Sequence, residues 1–349
     1  MFRVVLIEHG YASIEVERRI IENAGGEFID ADRLPLAKAL ELCEEADGIL
    51  FRRIDVTGEM IRRFRKCKII VRYGVGTDNV DVKAATDAGI IVGHVPGYCI
   101  DEVSSHAVAL LLACARKIVV THKKMEQGGW DVHRNDPIYR MEGKTLGIIG
   151  LGQIGRAVAR KLSSWDLKPI AHDPFVEPDV AGALGVELAS FETVCRQSDY
   201  ITLHAPLLPE TRDLINGKSL ALMKPGSMLI NTARGPIVNA TALLAALDSG
   251  RLAGAGIDVF ETEPLPADSP LRHHPKIIVT DHTAWYSEES QQDLQRMAAE
   301  ELARVCVGGL PRSLANPEVL ARLGKPEEWT PSDTVKWQLK RLHRVGHKG

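Results

Sequence analysis

The chain has 349 residues, of which 45% are hydrophobic and 26% are charged, a composition that excludes a disordered protein. Its 43 Lys and Arg residues and 46 Asp and Glu residues leave a net charge of −3, which argues against general binding to nucleic acid. At about 150 residues per domain, the length predicts two domains.

None of the six cysteines forms a CxxC pair, so we expect free thiols in a reducing compartment. No histidine cluster has the spacing of a zinc site, so we expect no bound metal. A strand-like run begins at Phe2, which argues against a signal peptide. The longest apolar run, 107–115, is far shorter than a membrane span, which needs about 20 residues. The sequence therefore predicts a cytoplasmic protein that does not enter a membrane.

Short β-rich runs alternate along the chain with helical patterns, which is typical of parallel α/β sheets. The first block has predicted strands at 2–7, 48–51, 68–71 and 90–92. One long helical stretch follows, from about Ile100 to Gln127, and Gly128 and Gly129 end it. The second block has predicted strands at 145–149, 168–171, 200–203, 227–230, 253–257 and 276–279, and a second long helix from about Ser287 to Val307 follows it.

A glycine-rich turn follows the first strand of the second block and opens a predicted helix, which is the context of a dinucleotide-binding motif. Gly150 would permit the tight turn, Gly152 the close approach of a pyrophosphate, and Gly155 the packing of helix on strand. Free N–H groups at the N-terminus of this helix would bind the phosphates. Asp173, 18 residues after Gly155, matches the acidic residue that binds the ribose hydroxyls, and its charge favours NAD over NADP.

The six predicted strands of the second block match the count of a dinucleotide-binding sheet, and the two long helices predict that the chain crosses twice between two domains. The predicted fold class is α/β, with two Rossmann-like doubly wound domains and the nucleotide domain inserted into the substrate domain. We predict a substrate domain at 1–99 and 287–320, an NAD-binding domain at 100–286, and a basic tail at 321–349. The tail is either a solvated appendage or a short helix that docks on the body or on a partner subunit through Trp329 and Trp337.

Three segments near the end of the second block, 231–235, 258–264 and 281–286, each lie at the carboxyl end of a predicted strand, where ligands bind in open α/β sheets. They contain Arg234, Glu263 and His282, which supply the groups that reduction of a 2-oxoacid needs. The arginine would grip the carboxylate and polarise the ketone, and the histidine would donate a proton as hydride reaches carbon. The glutamate would fix the histidine tautomer and raise its pKa.

Over about residues 3–318 the sequence resembles the D-isomer-specific 2-hydroxyacid dehydrogenase family, by segments 74–81, 150–155, 202–206, 231–235, 258–264 and by His282. The resemblance implies that Arg234, Glu263 and His282 are the catalytic residues, the glutamate being the one directly before a proline rather than Glu261. It also implies a homodimer formed through the nucleotide domain. Beside the glycine motif and Asp173, it implies cofactor contacts from Val75, Gln153, Ile154, Pro206, Thr232, Ala233, Asp258 and His282.

The same resemblance implies a substrate site. Backbone N–H groups of Val75 and Gly76 would hold the substrate carboxylate, Arg234 would anchor it, and Arg72 and Trp285 would line the pocket. Arg72 and the segment after the catalytic histidine look most like the C-terminal-binding-protein branch, which includes transcriptional corepressors. We group this branch with the phosphoglycerate-dehydrogenase-like enzymes.

Arg52 and Arg53 follow a predicted strand of the first block. With Arg72 and Arg234 they would form a cationic pocket for a second anionic group on the substrate, such as a phosphate, phosphonate or second carboxylate. The alternative is that one or both face solvent. Asp281 stands where the family usually has a proline before the catalytic histidine, so the rate and the pH optimum do not follow from the resemblance.

The leading interpretation is an NAD-dependent oxidoreductase that interconverts a small 2-oxoacid and a D-2-hydroxyacid. One alternative is an NAD(H)-sensing, corepressor-like binding protein that dimerises on NAD(H) and recruits short peptides. Another alternative is 3-phosphoglycerate dehydrogenase. Phe51 argues against it, because such enzymes tend to carry a phosphate-binding arginine at this position.

Overall fold

The computed structural model describes residues 1–132 and 137–324. Its strands are short and mostly buried, as in parallel sheets whose two faces are both covered by helices. Along the chain the strands are β1 (Phe2–Leu6), β2 (Gly26–Asp30), β3 (Gly48–Phe51), β4 (Ile69–Arg72), β5 (Ile91–Gly93), β6 (Thr145–Ile149), β7 (Lys168–His172), β8 (Glu187–Leu188), β9 (Tyr200–Leu203), β10 (Ser227–Asn231), β11 (Leu252–Ile257) and β12 (Ile277–Val279).

Helices connect most of these strands, and a short 3-10 helix lies at Gly235–Ile237. Along the chain the α-helices are α1 (Glu15–Asn23), α2 (Leu36–Cys43), α3 (Gly58–Ile61), α4 (Val82–Asp87), α5 (Ile100–Ala115), α6 (Ile118–Glu126), α7 (Gln153–Lys161), α8 (Pro178–Gly182), α9 (Phe191–Gln197), α10 (Gly217–Leu222), α11 (Ala240–Asp248), α12 (Pro270–His273), α13 (Glu288–Cys306) and α14 (Val319–Arg322).

The chain divides into two compact units. The first is Met1–Tyr98 with the chain from Ser287 onward, and the second is Cys99–Tyr286, which is inserted between those segments. The first unit has a five-stranded parallel sheet of order β2-β1-β3-β4-β5, and the second has a seven-stranded parallel sheet of order β12-β11-β10-β9-β6-β7-β8. Parallel strands in these orders form Rossmann-like doubly wound sheets, which confirms the predicted fold class.

The core of the first unit follows from the register of its sheet. Val5, Ile49, Ile70 and Val92 are paired neighbours on four adjacent strands, and all four side chains are fully buried. They form one apolar row against which α2 packs. A row of β-branched residues of this kind is typical of a sheet covered by helices.

Two edge strands and one helix break are not apparent from the sequence pattern. Phe28 is the one buried residue of β2, and β8 has only two residues, so neither strand has a continuous apolar run. The single helix predicted for 100–127 is wrong, because the chain forms α5 and α6 with a turn between them in which Lys117 has a φ of 54°. Neither glycine nor proline marks this turn, and these are the residues by which a helix end is usually predicted.

Within residues 1–132 and 137–324, no single helix is long and apolar enough to cross a membrane, although α5 and α6, a pair bent by 61°, pass on length and composition together. The predicted tail helix and its two tryptophans lie outside the described residues. The described chain ends just after α14, where Arg322 Nη2 lies 3.0 Å from a carboxylate oxygen of Asp87.

Candidate active site

The three predicted catalytic residues lie in the loops that follow β10, β11 and β12. These strands are parallel neighbours, so their carboxyl ends meet at one edge of the second unit's sheet. At this edge His282 Nδ1 lies 2.6 Å from Glu263 Oε2, and the two side chains are 38% and 35% exposed. The structure therefore forms the predicted histidine–carboxylate pair.

Glu263 is held in its ionised form. Its other oxygen, Oε1, accepts the N–H of Phe260 at 2.9 Å. Burial alone would raise the pKa of Glu263, but the hydrogen bond and charge of His282, the Phe260 N–H and the charge of Arg234 lower it below its usual value. A carboxylate only accepts, so His282 Nδ1 carries a proton and Nε2 remains for proton exchange with a ligand.

Gly235 explains how Arg234 comes close to this pair. A Cβ atom on Gly235 would lie 1.9 Å from the carbonyl carbon of Phe260, so a side chain at this position would collide with the backbone that leads to Glu263. The turn is further fixed by Asn231, whose Nδ2 donates to the carbonyl of Arg234 at 2.9 Å. Packing of the loop thus requires a glycine at position 235, and the neighbouring Arg234 supplies a positive charge.

The His282 loop is built on the buried carboxylate of Asp258, which lies directly after β11. This carboxylate accepts the Thr280 hydroxyl at 2.6 Å and the N–H groups of Thr283 and Ala284 at 3.0 and 3.2 Å. The carbonyl oxygen of Asp258 accepts the N–H of His282 at 2.9 Å. These contacts hold His282 at a φ of 56°, a left-handed conformation that non-glycine residues rarely adopt.

His106 on α5 extends this network. Its Nε2 lies 3.0 Å from Thr280 Oγ1, and because the threonine hydroxyl donates to Asp258, it accepts from His106. Sequence reasoning missed both residues, since an isolated histidine on a largely apolar helix and a threonine after a strand carry no motif. The carboxylate of Asp258 is turned into the protein, and its predicted contact with the cofactor stays a prediction.

The glycine-rich turn after β6 has the features that a dinucleotide requires. A Cβ atom on Gly150, whose φ is 91°, would lie 2.6 Å from the backbone nitrogen of Ala205, and one on Gly155 would lie 2.2 Å from the Gly150 carbonyl oxygen. A Cβ atom on Gly152 would meet nothing within 4 Å. Two of the glycines are therefore required by packing, whereas Gly152 leaves open space in front of α7, where a pyrophosphate fits.

Other predicted cofactor residues surround this turn. The Asp173 carboxylate, directly after β7, accepts the N–H of Leu151 at 2.8 Å and so lies next to the turn. Thr232 directly follows β10, and its buried hydroxyl has no hydrogen-bond partner among residues 1–132 and 137–324. Pro206 is exposed just after β9, and Ala233 follows Thr232. An open glycine turn and an unpartnered hydroxyl at the same sheet edge fit a bound dinucleotide.

In the first unit, the loop after β4 offers backbone N–H groups. Val75 is 40% exposed, and its carbonyl oxygen lies 2.7 Å from His94 Nδ1. The N–H groups of Val75 and Gly76 have no acceptor in the described part of the chain. Successive unpaired N–H groups form a small anion-binding concavity, which fits the predicted role in holding a carboxylate.

The three arginines of the first unit that are predicted near the substrate differ in their surroundings. Arg52 is half-buried, donates from Nη1 to the carbonyl of His9 at 3.1 Å, and lies over the ring of Tyr11 at 5.0 Å. Arg72 donates from Nε to the carbonyl of Arg52 at 3.2 Å, so these two arginines are neighbours. Arg53 is exposed, which favours for this residue the alternative in which it faces solvent.

The predicted substrate residues belong to both units. Arg52, Arg53, Arg72, Val75 and Gly76 lie in the first unit, and Arg234 and Trp285 lie in the second. Trp285 is half-buried and packs edge-to-face on Tyr286, with ring centroids 5.6 Å apart. The roles of all seven residues in substrate binding stay predictions.

Known proteins resemble this chain over most of its length. It is 38% identical over 300 residues to D-3-phosphoglycerate dehydrogenase of Methanocaldococcus jannaschii, over 85% of this chain and 57% of that one. It is 36% identical to glyoxylate reductase of Korarchaeum cryptofilum, over 83% of this chain and 89% of the relative. A solved glyoxylate reductase from Paecilomyes thermophila has a TM-score of 0.81 and 27% identity, over 90% and 98% of the two chains.

The chain thus spans little more than half of the phosphoglycerate dehydrogenase but most of the glyoxylate reductase. Residues 108–284 match the family described as D-isomer specific 2-hydroxyacid dehydrogenase, NAD binding domain, and this range contains the glycine-rich turn and His282. The family and the cofactor predicted from the sequence are both confirmed. The chain belongs to the D-isomer-specific 2-hydroxyacid dehydrogenases, a family of NAD-dependent oxidoreductases.

Proposed function

We propose that this protein interconverts a small 2-oxoacid and a D-2-hydroxyacid with NAD as the hydride carrier. The observation that carries the proposal is the 2.6 Å contact between His282 and an ionised Glu263, at the sheet edge that also holds Arg234. A polarised acid–base histidine beside an arginine is the chemistry of ketone reduction. The names of the relatives, glyoxylate reductase and D-3-phosphoglycerate dehydrogenase, support a substrate of this class.

In the reductive direction, bound NADH supplies the hydride that adds to C2. His282, protonated on both ring nitrogens, gives its Nε2 proton to the former ketone oxygen, so that a hydroxyl group forms. Glu263 keeps Nδ1 protonated and stabilises the positive charge before transfer. Arg234 polarises the ketone and holds the carboxylate through its planar donors. Oxidation of the hydroxyacid reverses each step, with neutral His282 as the base.

In the first unit we assign the substrate carboxylate to the N–H groups of Val75 and Gly76. A second anionic group on the substrate, if present, would meet Arg52 and Arg72, which are in contact with each other. The half-buried Arg52 lies against Tyr11 and the His9 carbonyl, so little rotamer freedom would be lost when it binds an anion. We therefore expect a dianionic 2-oxoacid to be preferred over pyruvate.

The test is oxidation of NADH, followed at 340 nm, with a panel of 2-oxoacids: glyoxylate, hydroxypyruvate, pyruvate, 2-oxoglutarate, oxaloacetate and phosphonopyruvate. A kcat/KM above about 10⁴ M⁻¹s⁻¹ for one member would support the proposal and identify the substrate class. Uniformly slow turnover with tight NADH binding would contradict it and favour an NAD(H)-sensing binding protein.

The family resemblance also implies a homodimer, and we propose that α6, with Trp130 and Val132 beyond it, forms the interface. Ile118, Val120 and Met125 on α6 are 55%, 40% and 46% exposed, and Trp130 and Val132 beyond it are 87% and 86% exposed. Several large exposed apolar side chains on one segment are unusual for a monomer's surface and are typical of a protein–protein interface.

A further inference from the structure

We propose that His94 is a positioning residue that aims the N–H of Gly76 at the substrate carboxylate. The inference rests on the proposed function, in which this N–H group and that of Val75 bind the carboxylate. His94 directly follows β5, the strand that pairs with β4, and the candidate carboxylate loop, Gly74-Val75-Gly76, follows β4.

The contact between His94 and the loop has a fixed direction. His94 Nδ1 lies 2.7 Å from the Val75 carbonyl oxygen, a short distance for such a bond. A carbonyl oxygen only accepts hydrogen bonds, so Nδ1 must carry the proton and donate it. The neutral imidazole therefore has its other nitrogen, Nε2, unprotonated.

The peptide group between Val75 and Gly76 links the His94 contact to the N–H group that is proposed to bind the carboxylate. The bond between Val75 and Gly76 is trans, so the Val75 carbonyl and the Gly76 N–H point in opposite directions. His94 is only 5% exposed, so the carbonyl is drawn toward the interior and the N–H is aimed away from it. That N–H has no acceptor within residues 1–132 and 137–324, which leaves it available to an anion.

Two further observations indicate that the donor, rather than packing alone, is what His94 provides. Its Nε2 is buried without a hydrogen-bond partner among the described residues, an arrangement that costs stability and that an apolar side chain would avoid. Burial lowers the pKa of His94, and the nearby charge of Arg72 lowers it too, although the Val75 carbonyl opposes this, so the ring is neutral. The neighbouring Gly74 carbonyl accepts the N–H of Val95 at 2.8 Å, so the loop is held at two successive carbonyl groups.

The test compares His94→Ala with His94→Asn in the full-length protein. Asn Nδ2 is bonded to Cγ as imidazole Nδ1 is, so it can donate to the same carbonyl, whereas alanine cannot. The probe is oxamate, a carboxylate analogue of a 2-oxoacid, titrated into the protein with saturating NADH. We expect His94→Ala to weaken oxamate binding about tenfold and His94→Asn to restore most of it, with the Kd for NADH unchanged.

Leu40→Ala is the matched control, because Leu40 is buried in the same unit and its truncation leaves a cavity without touching the loop. It should lower the melting temperature and leave oxamate affinity unchanged. Wild-type affinity in His94→Ala, equal losses in both His94 variants, or no binding of oxamate to the wild type would each overturn the inference. Since binding is measured without turnover, a failed substrate panel would reject the proposed function separately.

Discussion

At the scale of single residues, the ionised state of Glu263 is the property on which the proposed proton transfer depends. Its surroundings lower the pKa of Glu263, so the carboxylate persists to pH values below its ordinary range. The pair is accordingly formed throughout the neutral range and is lost only when acid protonates Glu263. We therefore expect activity to be lost on the acid side only at a pH below the ordinary pKa of a glutamate.

Replacing Glu263 with glutamine should move the pH profile. The amide oxygen can still accept from His282 Nδ1, but the negative charge that would stabilise a protonated imidazole is gone. The proposed reduction needs protonated His282, so we expect the alkaline limb of kcat/KM to move to lower pH.

The control for this substitution is Glu261→Gln. Glu261 lies in the same loop, is 67% exposed and pairs with Arg212 at 3.6 Å, outside the histidine pair. Its profile should match that of the wild type. An unchanged profile in Glu263→Gln, or an equal shift in Glu261→Gln, would show that Glu263 does not tune the histidine.

Arg52 and Arg53 provide a second comparison between neighbours. Arg52→Ala should raise the KM for oxaloacetate or phosphonopyruvate by about tenfold or more relative to pyruvate, since a charge-assisted hydrogen bond is lost. The exposed Arg53, replaced in the same way, should have a much smaller effect. Steady-state kinetics with both classes of substrate decide this, and equal effects of Arg52→Ala on pyruvate and on the dianions would reject the second-anion pocket.

Some of the site could be predicted from the sequence because its residues have unusual local requirements. Gly150 needs a positive φ and Gly235 a close backbone approach, and such glycines form recognisable motifs. His94 and His106 could not be found in this way. Each makes a tertiary hydrogen bond to a residue in a loop distant in sequence, Val75 for His94 and Thr280 for His106, and no spacing rule marks such a contact.

At the scale of secondary-structure elements, the site is made where parallel strands end. Three neighbouring parallel strands, β10, β11 and β12, share one direction, so their carboxyl ends lie at the same edge of the sheet. The loops that follow them place Arg234, Glu263 and His282 at this edge. This shared direction makes the ligand-binding edge predictable from the sequence. Strands such as β3 and β4 are predictable because they have strong apolar runs. Edge strands such as β2, and the break between α5 and α6, depend on packing partners that the local pattern does not contain.

The link from α5 to the His282 loop gives a prediction at this scale. Thr280→Val keeps the shape of the side chain but removes the hydroxyl that joins His106 to Asp258. The loop should then hold His282 less well, lowering kcat about tenfold while the Kd for NADH changes little.

Thr280→Ser is the conservative partner, because it keeps the hydroxyl and should restore most of kcat. Stopped-flow or steady-state rates at saturating NADH are the measurement, with the melting temperature recorded for each variant. Equal activity of the valine and serine variants would show that the loop does not depend on this hydroxyl.

At the scale of the whole molecule, the exposed apolar residues of α6 predict the oligomeric state. Light scattering after gel filtration should give the mass of a dimer for the wild type. Ile118→Glu combined with Met125→Glu places two charges at the proposed interface and should give a monomer. Leu34→Glu, at a residue 45% exposed in the other unit, should remain a dimer, and a monomeric wild type would reject the interface.

The insertion of one unit into the other also bears on how such proteins diversify. Arg234, Glu263 and His282, with the Asp258 carboxylate that holds the His282 loop, all lie in one continuous stretch, 99–286, whereas the candidate carboxylate loop and Arg52 lie in the flanking segment 1–98. Exchange of the flanking segments alone would therefore leave the residues proposed for proton transfer, and the hydrogen bonds among them, unchanged. A change in the acid that the protein prefers would then require no substitution among those residues.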